Sequence, residues 1–251
     1  MSPPRLSVVV ITLNEEDRIR ECLASVAWAD ELVVVDAGSE DKTVAIAREF
    51  TDHVVIRSWD GFAAQKNFGI ARARGEWVLS LDADEQVDEA LAAEIRTTIA
   101  APDARDGYRL ARRNIMWGRW IRHGRLYPDW QLRLFRRARG RFAERAVHES
   151  ATVEGTVGRL AQPLLHHSYR DVADFLRRAD RYATLAADEW MREGRPFRPV
   201  RLVTAPLGRF LSMYVLHRGF LDGWRGFLLA GLYAYYVFIR TAKIWEKTRL
   251  R

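Results

Sequence analysis

The sequence contains one cysteine, Cys22, in 251 residues, which excludes a disulfide-stapled fold and a cysteine-based zinc cluster. Two glycine-rich signatures of phosphate binding are also missing. No Gly-x-Gly-x-x-Gly motif follows the first predicted strand, and no glycine-rich loop ends in Lys-Ser or Lys-Thr. We therefore expect no backbone cradle for a dinucleotide or for the phosphates of ATP.

Long uncharged segments are absent as well. The longest, residues 226–239, has 14 residues, whereas a helix needs about 20 to span a bilayer. No secretory signal pattern precedes the first predicted strand, and the single cysteine fits a reducing compartment. These features predict a cytoplasmic protein.

Charge is unevenly distributed along the chain. Residues 1–104 contain 10 Lys and Arg against 20 Asp and Glu, whereas residues 105–251 contain 30 against 13. The two parts therefore carry net charges of −10 and +17. With 48% hydrophobic residues the chain can bury a full core, and the charge split predicts two surfaces with different partners.

The acidic part alternates between strand-like and helix-like segments. Apolar, β-branched runs at residues 6–12, 32–36, 54–57 and 77–81 predict strands that are buried on both faces. Helical patterns follow each strand, and Cys22 falls among the core positions of the first helix. This order predicts an α/β fold with a mostly parallel sheet, whose ligands bind beyond the carboxyl ends of the strands.

Polar and acidic residues follow three of these strands and should meet at one edge of the sheet. Asn14 and Ser39 are typical helix caps, so a purely structural role is one interpretation for them. The three acids after the fourth strand would repel one another unless a cation lay between them. Their oxygen ligands favour Mg²⁺ or Mn²⁺ over zinc. The residues at this edge are Thr12, Asn14, Glu15, Asp36, Ser39, Asp82, Asp84 and Glu85.

Four motifs occur in order: Ser7-Val-Val-Val-Ile-Thr-Leu-Asn14-Glu15-Glu16, Val35-Asp36-Ala37-Gly38-Ser39-x-Asp41-x-Thr43, Lys66-Asn67-x-Gly69 and Leu81-Asp82-Ala83-Asp84-Glu85. Together they resemble the motifs of family 2 glycosyltransferases. The resemblance implies a GT-A (Rossmann-like) fold, a nucleotide-sugar donor and a divalent metal ion, Mg²⁺ or Mn²⁺. The donor that it implies is UDP-glucose.

The resemblance also implies roles for single residues. It places Lys66 near the base or the diphosphate, Asp82 at the ribose or the metal, and Asp84 at the metal as a ligand. Lys66 has a second interpretation, as a lysine on a helix face whose ammonium group reaches solvent. The residues implied for the nucleoside pocket, with Asp36 at the base or ribose, are Thr12, Asn14, Glu15 and Asp36.

The basic part changes to short strand-like segments at residues 108–112, 133–136 and 151–154, mixed with arginines and aromatic residues. Such aromatics can stack on sugar rings beside guanidinium groups that pair with phosphate or carboxylate, stack on nucleic-acid bases, or complete the core. No RNA-binding motif is found, so we expect an anionic glycan or glycolipid acceptor and no nucleic acid. The aromatic residues are Trp117, Trp120, Tyr127 and Trp130.

The stretch Gly140-Arg-Phe142-Ala-Glu144 followed by Val147-His148-Glu149 resembles the acceptor side of these transferases. Family members usually carry Glu-Asp where this chain has His148-Glu149. We predict Glu149 as the catalytic base and Asp129 as the second candidate, and either carboxylate can instead pair with an arginine. The pattern Tyr127-Pro-Asp129-Trp130-Gln-x-Arg133-Leu-Phe135-Arg136 further resembles the bacterial lipopolysaccharide core glucosyltransferases.

Two features of the last third complete the pattern. His166-His167 can add a metal ligand, although a buried or strand-end pair is favoured. Residues 171–193 predict an amphipathic helix, and an apolar, aromatic tail follows from residue 207. The tail fits either an interfacial helix on anionic lipid or a helix packed on the catalytic domain. Its terminal cations are Arg240, Lys243, Lys247, Arg249 and Arg251.

These observations predict a nucleotide-sugar-binding half at residues 1–104, an acceptor-binding half at 105–169 and a helical, membrane-associating extension at 170–251. We expect an inverting, metal-dependent hexosyltransferase that acts on a lipopolysaccharide core or related cell-envelope glycan at the inner face of the inner membrane. A polyprenyl-phosphate glycosyltransferase would share the donor half. A non-catalytic nucleotide- or membrane-binding module on the same fold is the alternative from another class.

Overall fold

The computed structural model describes residues 5–143 and 150–249 of the chain. The chain forms two compact units. Unit 1 contains residues 1–112 and 129–166, and unit 2 contains residues 113–128 and 167–251. The functional segments expected from the sequence, with bounds at residues 104 and 169, stay a prediction.

The parallel half of unit 1 follows the predicted alternation. The strands pair in parallel in the order β3-β2-β1-β4. Every residue of the first two strands is buried, which explains why they are continuous apolar runs rather than alternating ones. The elements are β1 (Leu6–Thr12), α1 (Ile19–Ser25), β2 (Glu31–Asp36), α2 (Thr43–Ala47), β3 (Val54–Ile56), α3 (Phe62–Arg72) and β4 (Trp77–Asp82).

An antiparallel half extends the same sheet. The next elements are β5 (Glu85–Gln86), α4 (Glu89–Ala100), β6 (Gly107–Met116), β7 (Arg119–Trp120), β8 (Asp129–Arg136), β9 (Gly140–Ala143), β10 (Ser150–Val153), β11 (Val157–Arg159) and β12 (Leu164–His167). Strand β8 lies between β4 and β6 and is antiparallel to both. Strand β12 pairs with β5, and β9 pairs with β10 in a separate two-stranded sheet.

The core of unit 1 lies on both faces of the sheet. Val8 and Val10 of β1 belong to a cluster with residues of α1 and α4, whereas Val9 and Ile11 belong to a second cluster with residues of α3. Successive side chains of a strand point to opposite faces, so β1 joins the two clusters. Cys22 is fully buried in the first cluster, and burial together with nearby carboxylates raises the pKa of its thiol well above the usual value. The prediction of a core thiol is confirmed.

Unit 2 is mainly helical. Its helices are α5 (Val172–Arg192), α6 (Arg201–Leu211) and α7 (Trp224–Arg249), with a π-helical turn at Ser212–Leu216 and a 3₁₀ turn at Gly219–Asp222. Helix α5 coincides within one residue with the predicted segment, because the Asp171 carboxylate accepts a hydrogen bond from Asp174 N at 2.6 Å and caps it. Among the described residues, α7 is long and apolar enough to cross a bilayer by length and composition.

Candidate active site

The predicted edge of the sheet is formed by the carboxyl ends of β1, β2 and β4. The strand register places Thr12 opposite Asp36 and Ile11 opposite Asp82. The polar residues that end three strands are therefore brought side by side, as parallel pairing requires.

The loops that follow β1 and β2 are tied to each other. Asn14 has a backbone φ of 52°, its N–H donates to Ser39 Oγ at 2.8 Å, and its Oδ1 accepts from Glu40 N at 2.9 Å. Asp36 Oδ1 accepts from the backbone N–H groups of Gly38 and Ser39 at 2.9 and 2.8 Å. These bonds hold both loops at the edge of the sheet.

The interpretation of Asn14 and Ser39 as helix caps is wrong. Helix α1 begins at Ile19 and α2 at Thr43, and neither side chain caps a helix. The two residues cap each other's loop instead, across 25 positions of the sequence. The local sequence pattern does not distinguish a helix cap from a loop, because both residue types bond to nearby backbone in either position.

Asp82 lies at the centre of a buried charge network. Its Oδ1 is 2.9 Å from Lys66 Nζ, and its Oδ2 accepts a hydrogen bond from Arg133 Nη2 at 2.6 Å. The same Arg133 nitrogen donates to Glu85 Oε1 at 2.7 Å, and Arg112 Nη1 lies 3.7 Å from that oxygen. Burial alone would raise the pKa of Asp82, but Arg133 and Lys66 hold it far below its usual value.

This network supplies the acidic cluster with cations that the motifs of the sequence do not indicate. Lys66 is 1% exposed and its ammonium lies 5.0 Å from the centre of the Phe142 ring, so the interpretation as a solvent-reaching lysine is wrong. Arg133 is also buried, and the negative partners outweigh burial so that its pKa is raised. Arg133 belongs to the pattern from Tyr127 to Arg136, but its partners come from β4 and β5 and no spacing reveals them.

Asp84 occupies a different environment from Asp82. Its Oδ2 lies 3.6 Å from Arg18 Nη1 and 3.6 Å from His166 Nε2. His166 reaches this position because β12 pairs with β5, which puts His166 opposite Glu85. Within residues 5–143 and 150–249, no group of three or more His, Cys, Asp and Glu side chains is arranged to hold a metal ion. Since Mg²⁺ is commonly bound by one or two protein carboxylates plus substrate phosphates, Asp84 with His166 fits a site that a diphosphate would complete.

The two candidate bases differ in what the structure shows of them. Glu149 lies outside the described residues. Asp129 lies at the start of β8, where its Oδ2 accepts from Arg112 Nε at 2.8 Å and Nη2 at 2.5 Å, and its Oδ1 accepts from Gln131 Nε2 at 2.7 Å. Asp129 therefore has the arginine-paired environment that was its alternative interpretation, and both of its carboxylate oxygens are engaged by neighbouring side chains.

The aromatic residues of the basic part are mostly engaged within the protein. Trp120 of unit 2 lies between two guanidinium groups, those of Arg113 at 4.6 Å and Arg122 at 4.2 Å from its ring. Trp117 packs against the buried cluster that contains Met116. Trp120 is thus engaged by two arginines, and Trp117 contributes to the core.

The parallel half-sheet, its acidic edge with an Asp-x-Asp sequence and the antiparallel extension together define a GT-A glycosyltransferase fold. The profile of the family described as "Glycosyl transferase family 2" matches residues 7–152. The chain belongs to glycosyl transferase family 2 and is a glycosyltransferase.

Known proteins similar to this chain agree with that assignment. The lipopolysaccharide core biosynthesis glycosyltransferase LpsC of Rhizobium meliloti is 32% identical over 98% of this chain and 94% of its own. Among solved structures, the mannosyltransferase PcManGT from Pyrobaculum calidifontis, in complex with GDP-Man and Mn²⁺, is 18% identical with a TM-score of 0.55, covering 97% of this chain and 88% of its own. S. aureus TarS 1–349 in complex with UDP-GlcNAc is 17% identical with a TM-score of 0.50, covering 98% and 92%. These structures show the fold that was expected.

Proposed function

We propose that this glycosyltransferase transfers a hexose, glucose from UDP-glucose, with inversion to a lipopolysaccharide core or related cell-envelope glycan. The observation that carries the proposal is the acidic edge, where Asp84 and His166 lie beside the carboxyl ends of β1, β2 and β4. The name of the Rhizobium meliloti relative supports the acceptor class, and the UDP-GlcNAc in TarS supports a uridine nucleotide.

The nucleoside would lie against the ends of β1 and β2. The Thr12 hydroxyl is buried and has no hydrogen-bond partner among the described residues, which leaves it for a donor group. Asn14, Glu15 and Asp36 line the same edge, and Lys66 anchors it through Asp82. Because both oxygens of Asp82 already contact cations, we assign Asp82 to the ribose side of the pocket and leave the metal to Asp84.

Asp84, together with His166, would hold a Mg²⁺ or Mn²⁺ ion in this proposal. Such an ion supplies positive charge that stabilises the departing nucleoside diphosphate. The GDP-Man and Mn²⁺ complex of the Pyrobaculum calidifontis enzyme supports this choice of ion. We expect donor-dependent activity to disappear with a chelator and to return when Mn²⁺ or Mg²⁺ is added.

Glu149 is proposed as the base that takes the proton of the acceptor hydroxyl. The contacts of Asp129 support this choice, because Arg112 and Gln131 already occupy its two carboxylate oxygens and leave neither open to an acceptor hydroxyl. Glu149→Gln should lower kcat by about 10²–10⁴-fold and leave the Kd of the donor nearly unchanged. Glu154→Gln, an exposed acid beyond β10, is the matched control and should keep full activity. Full activity of Glu149→Gln under chemistry-limited conditions would exclude it as the base.

The direct test measures transfer by the purified chain from a panel of nucleotide sugars to truncated lipopolysaccharide cores. A polyprenyl phosphate is included as a separate acceptor, because transfer to it alone would favour the polyprenyl-phosphate transferase. Donor binding without hydrolysis or transfer to any acceptor would instead indicate a non-catalytic module. We further propose a peripheral position at the inner face of the bacterial inner membrane, supported by the apolar and basic character of unit 2.

A further inference from the structure

Unit 2 exposes a row of large apolar side chains that begins in α6. In α6 the exposed fractions are 70% for Val203, 55% for Leu207 and 46% for Leu211. Their spacing of four, with Val215 after them, keeps the row on one side of the helix. The π-helical turn, the 3₁₀ turn and the start of α7 extend it. We name this surface the α6 face: Val200, Val203, Leu207, Leu211, Val215, Leu216, Phe220, Leu221 and Trp224.

The other side of α6 explains why this row faces outward. Phe210 packs edge-on against Phe227 of α7 with ring centres 5.6 Å apart, and the Arg209 guanidinium lies 5.4 Å from the Tyr233 ring. No residue of α6 is buried. Helix α6 therefore rests on α7 through one side and presents an apolar surface on the other. An apolar surface of this size on a folded protein marks an interaction site.

Charge indicates what covers the α6 face. Residues 194–221 contain no Asp or Glu and five arginines; Arg195 pairs with Glu193 at 2.8 Å, and Arg198, Arg201 and Arg218 are exposed. The next acid, Asp222, is engaged by the backbone N–H groups of Arg122 and His123 at 3.3 and 2.8 Å. The partner must therefore present both apolar groups and negative charge.

We propose that the α6 face docks on the surface of a bilayer that contains anionic lipids. Its apolar side chains would enter the boundary between headgroups and acyl chains, and the exposed arginines beside it, Arg198, Arg201 and Arg218, would contact lipid phosphates. A second copy of the chain fits less well, because a two-fold contact would bring the same arginines together. The proposal deepens the membrane position suggested above by naming the surface that makes the contact.

Two of the terminal cations of α7, Lys243 and Lys247, pair with acids of the same unit. Lys243 Nζ lies 2.6 Å from Asp180 Oδ1 and Lys247 Nζ lies 2.7 Å from Asp188 Oδ1, and both acids belong to α5. Val237 and Ile244 are buried between the helices of unit 2. These contacts attach α7 to α5 and engage Lys243 and Lys247 within unit 2, whereas Arg198, Arg201 and Arg218 beside the α6 face are exposed.

The test uses the full chain, without donor or acceptor, in co-sedimentation with phosphatidylcholine vesicles and with equimolar phosphatidylcholine and phosphatidylglycerol vesicles. The parent should bind the anionic vesicles better. Arg198→Gln with Arg201→Gln and Arg218→Gln should weaken this binding by about 10²-fold, because each cation near an anionic surface contributes about fivefold. Removal of three exposed arginines elsewhere, by Arg48→Gln, Arg109→Gln and Arg181→Gln, is the control and should change binding little.

A second variant tests the apolar part. Val203→Ser with Leu207→Ser and Leu216→Ser should reduce binding to both kinds of vesicle, while circular dichroism and thermal unfolding remain those of the parent because the three side chains are exposed. No binding of the parent to either vesicle overturns the proposal. The proposal is also overturned if the serine variant binds vesicles as well as the parent does. It is overturned too if sedimentation velocity shows the parent to be a dimer and the serine variant a monomer. Because no substrate is present, these outcomes are independent of whether the proposed transferase reaction occurs.

Discussion

At the scale of single residues, Arg133 is the side chain on which most of the acidic edge depends. One of its nitrogens donates to carboxylates from two elements, Asp82 at 2.6 Å and Glu85 at 2.7 Å. Both Arg133 and Glu85 are almost fully buried. Buried charges of one sign are tolerated only when the opposite charge is close and correctly oriented. The edge that carries the proposed donor site thus keeps its shape through an internal cation.

Removing that cation should be costly. Arg133→Met leaves the carboxylates of Asp82 and Glu85 without their strongest partner, and we expect a loss of about 3–5 kcal/mol in the free energy of unfolding. Urea denaturation measures it. Arg109→Met removes an exposed arginine from the adjacent strand β6 and should change the stability by less than about 0.5 kcal/mol. If the two substitutions lower the free energy of unfolding equally, the buried network stabilises the protein no more than an exposed arginine does.

Glu31, at the start of β2, provides a pH-dependent contribution. Burial opposes its charge, but hydrogen bonds from Arg74 N at 2.8 Å, from Ser7 Oγ at 2.5 Å and from Arg74 Nε at 2.7 Å lower its pKa overall. A folded-state pKa below the unfolded value of about 4.3 stabilises the fold above that pH. This stabilisation is lost as the pH falls through the folded pKa.

The variant Glu31→Gln tests the direction of this pH dependence. The difference in the free energy of unfolding between the parent and this variant should be largest near neutral pH and should shrink below about pH 4. Guanidinium denaturation across a pH series measures the difference. Glu49→Gln serves as the comparison, since the Glu49 pair with Arg20 is half exposed on both sides and contributes little. A Glu31→Gln difference that grows toward acid pH would contradict the argument.

At the scale of elements, Gly69 explains a motif that the sequence alone left without a physical reason. A Cβ on Gly69 of α3 would lie 2.4 Å from Val9 Cγ1 and 3.1 Å from Val35 Cγ2. Both valines are buried in the sheet, on β1 and β2. Helix α3 therefore approaches the sheet closely at this point, and only glycine permits that distance. The same helix positions Lys66 one turn earlier.

Substitutions at two glycines should therefore change the stability of the protein in different directions. Gly69→Ala should destabilise the protein by about 1–3 kcal/mol, because an added methyl group overpacks a buried helix–sheet contact. Gly231→Ala, in α7, has no atom within 4 Å of the new Cβ and should be neutral or stabilise by up to about 1 kcal/mol through helix propensity. Thermal unfolding of the two variants measures both effects. A stabilising Gly69→Ala would mean that α3 can move away from β1 without cost.

The elements themselves were largely predictable. Strands β1 to β4 and helix α5 lie within two residues of the segments expected from periodicity, because their apolar patterns have clear breaks. The starts of α1 and α2 could not be predicted, because Asn14 and Ser39 bond to residues far away in the sequence. The partners of Asp82 and Asp84 were not predictable either. They depend on which strands become neighbours, which put Arg133 and His166 next to acids that precede them by about fifty and eighty positions.

At the scale of the whole molecule, the charge asymmetry of the sequence persists in the folded units. Unit 1 carries 20 Lys and Arg against 25 Asp and Glu, whereas unit 2 carries 20 against 8, so their net charges are −5 and +12. Potentials of opposite sign over two surfaces steer different partners to them. The acidic unit contains the proposed metal-assisted donor edge, and the positive potential of the basic unit would attract the anionic glycan and lipid partners proposed above.

This asymmetry leads to different salt dependences for the two substrates. Raising the ionic strength from about 0.01 M to about 1 M shortens the screening length from about 30 Å to about 3 Å. The KM for an anionic core acceptor should therefore rise steeply, because exposed arginines attract it through solvent. The Kd for the nucleotide sugar should change much less, since its partners are the short-range contacts around Asp82 and Asp84, which lie at an edge of low exposure. A neutral, dephosphorylated acceptor of the same sugar sequence is the control and should lose the salt dependence. If the neutral and anionic acceptors respond equally to salt, the basic unit does not recruit the acceptor by charge.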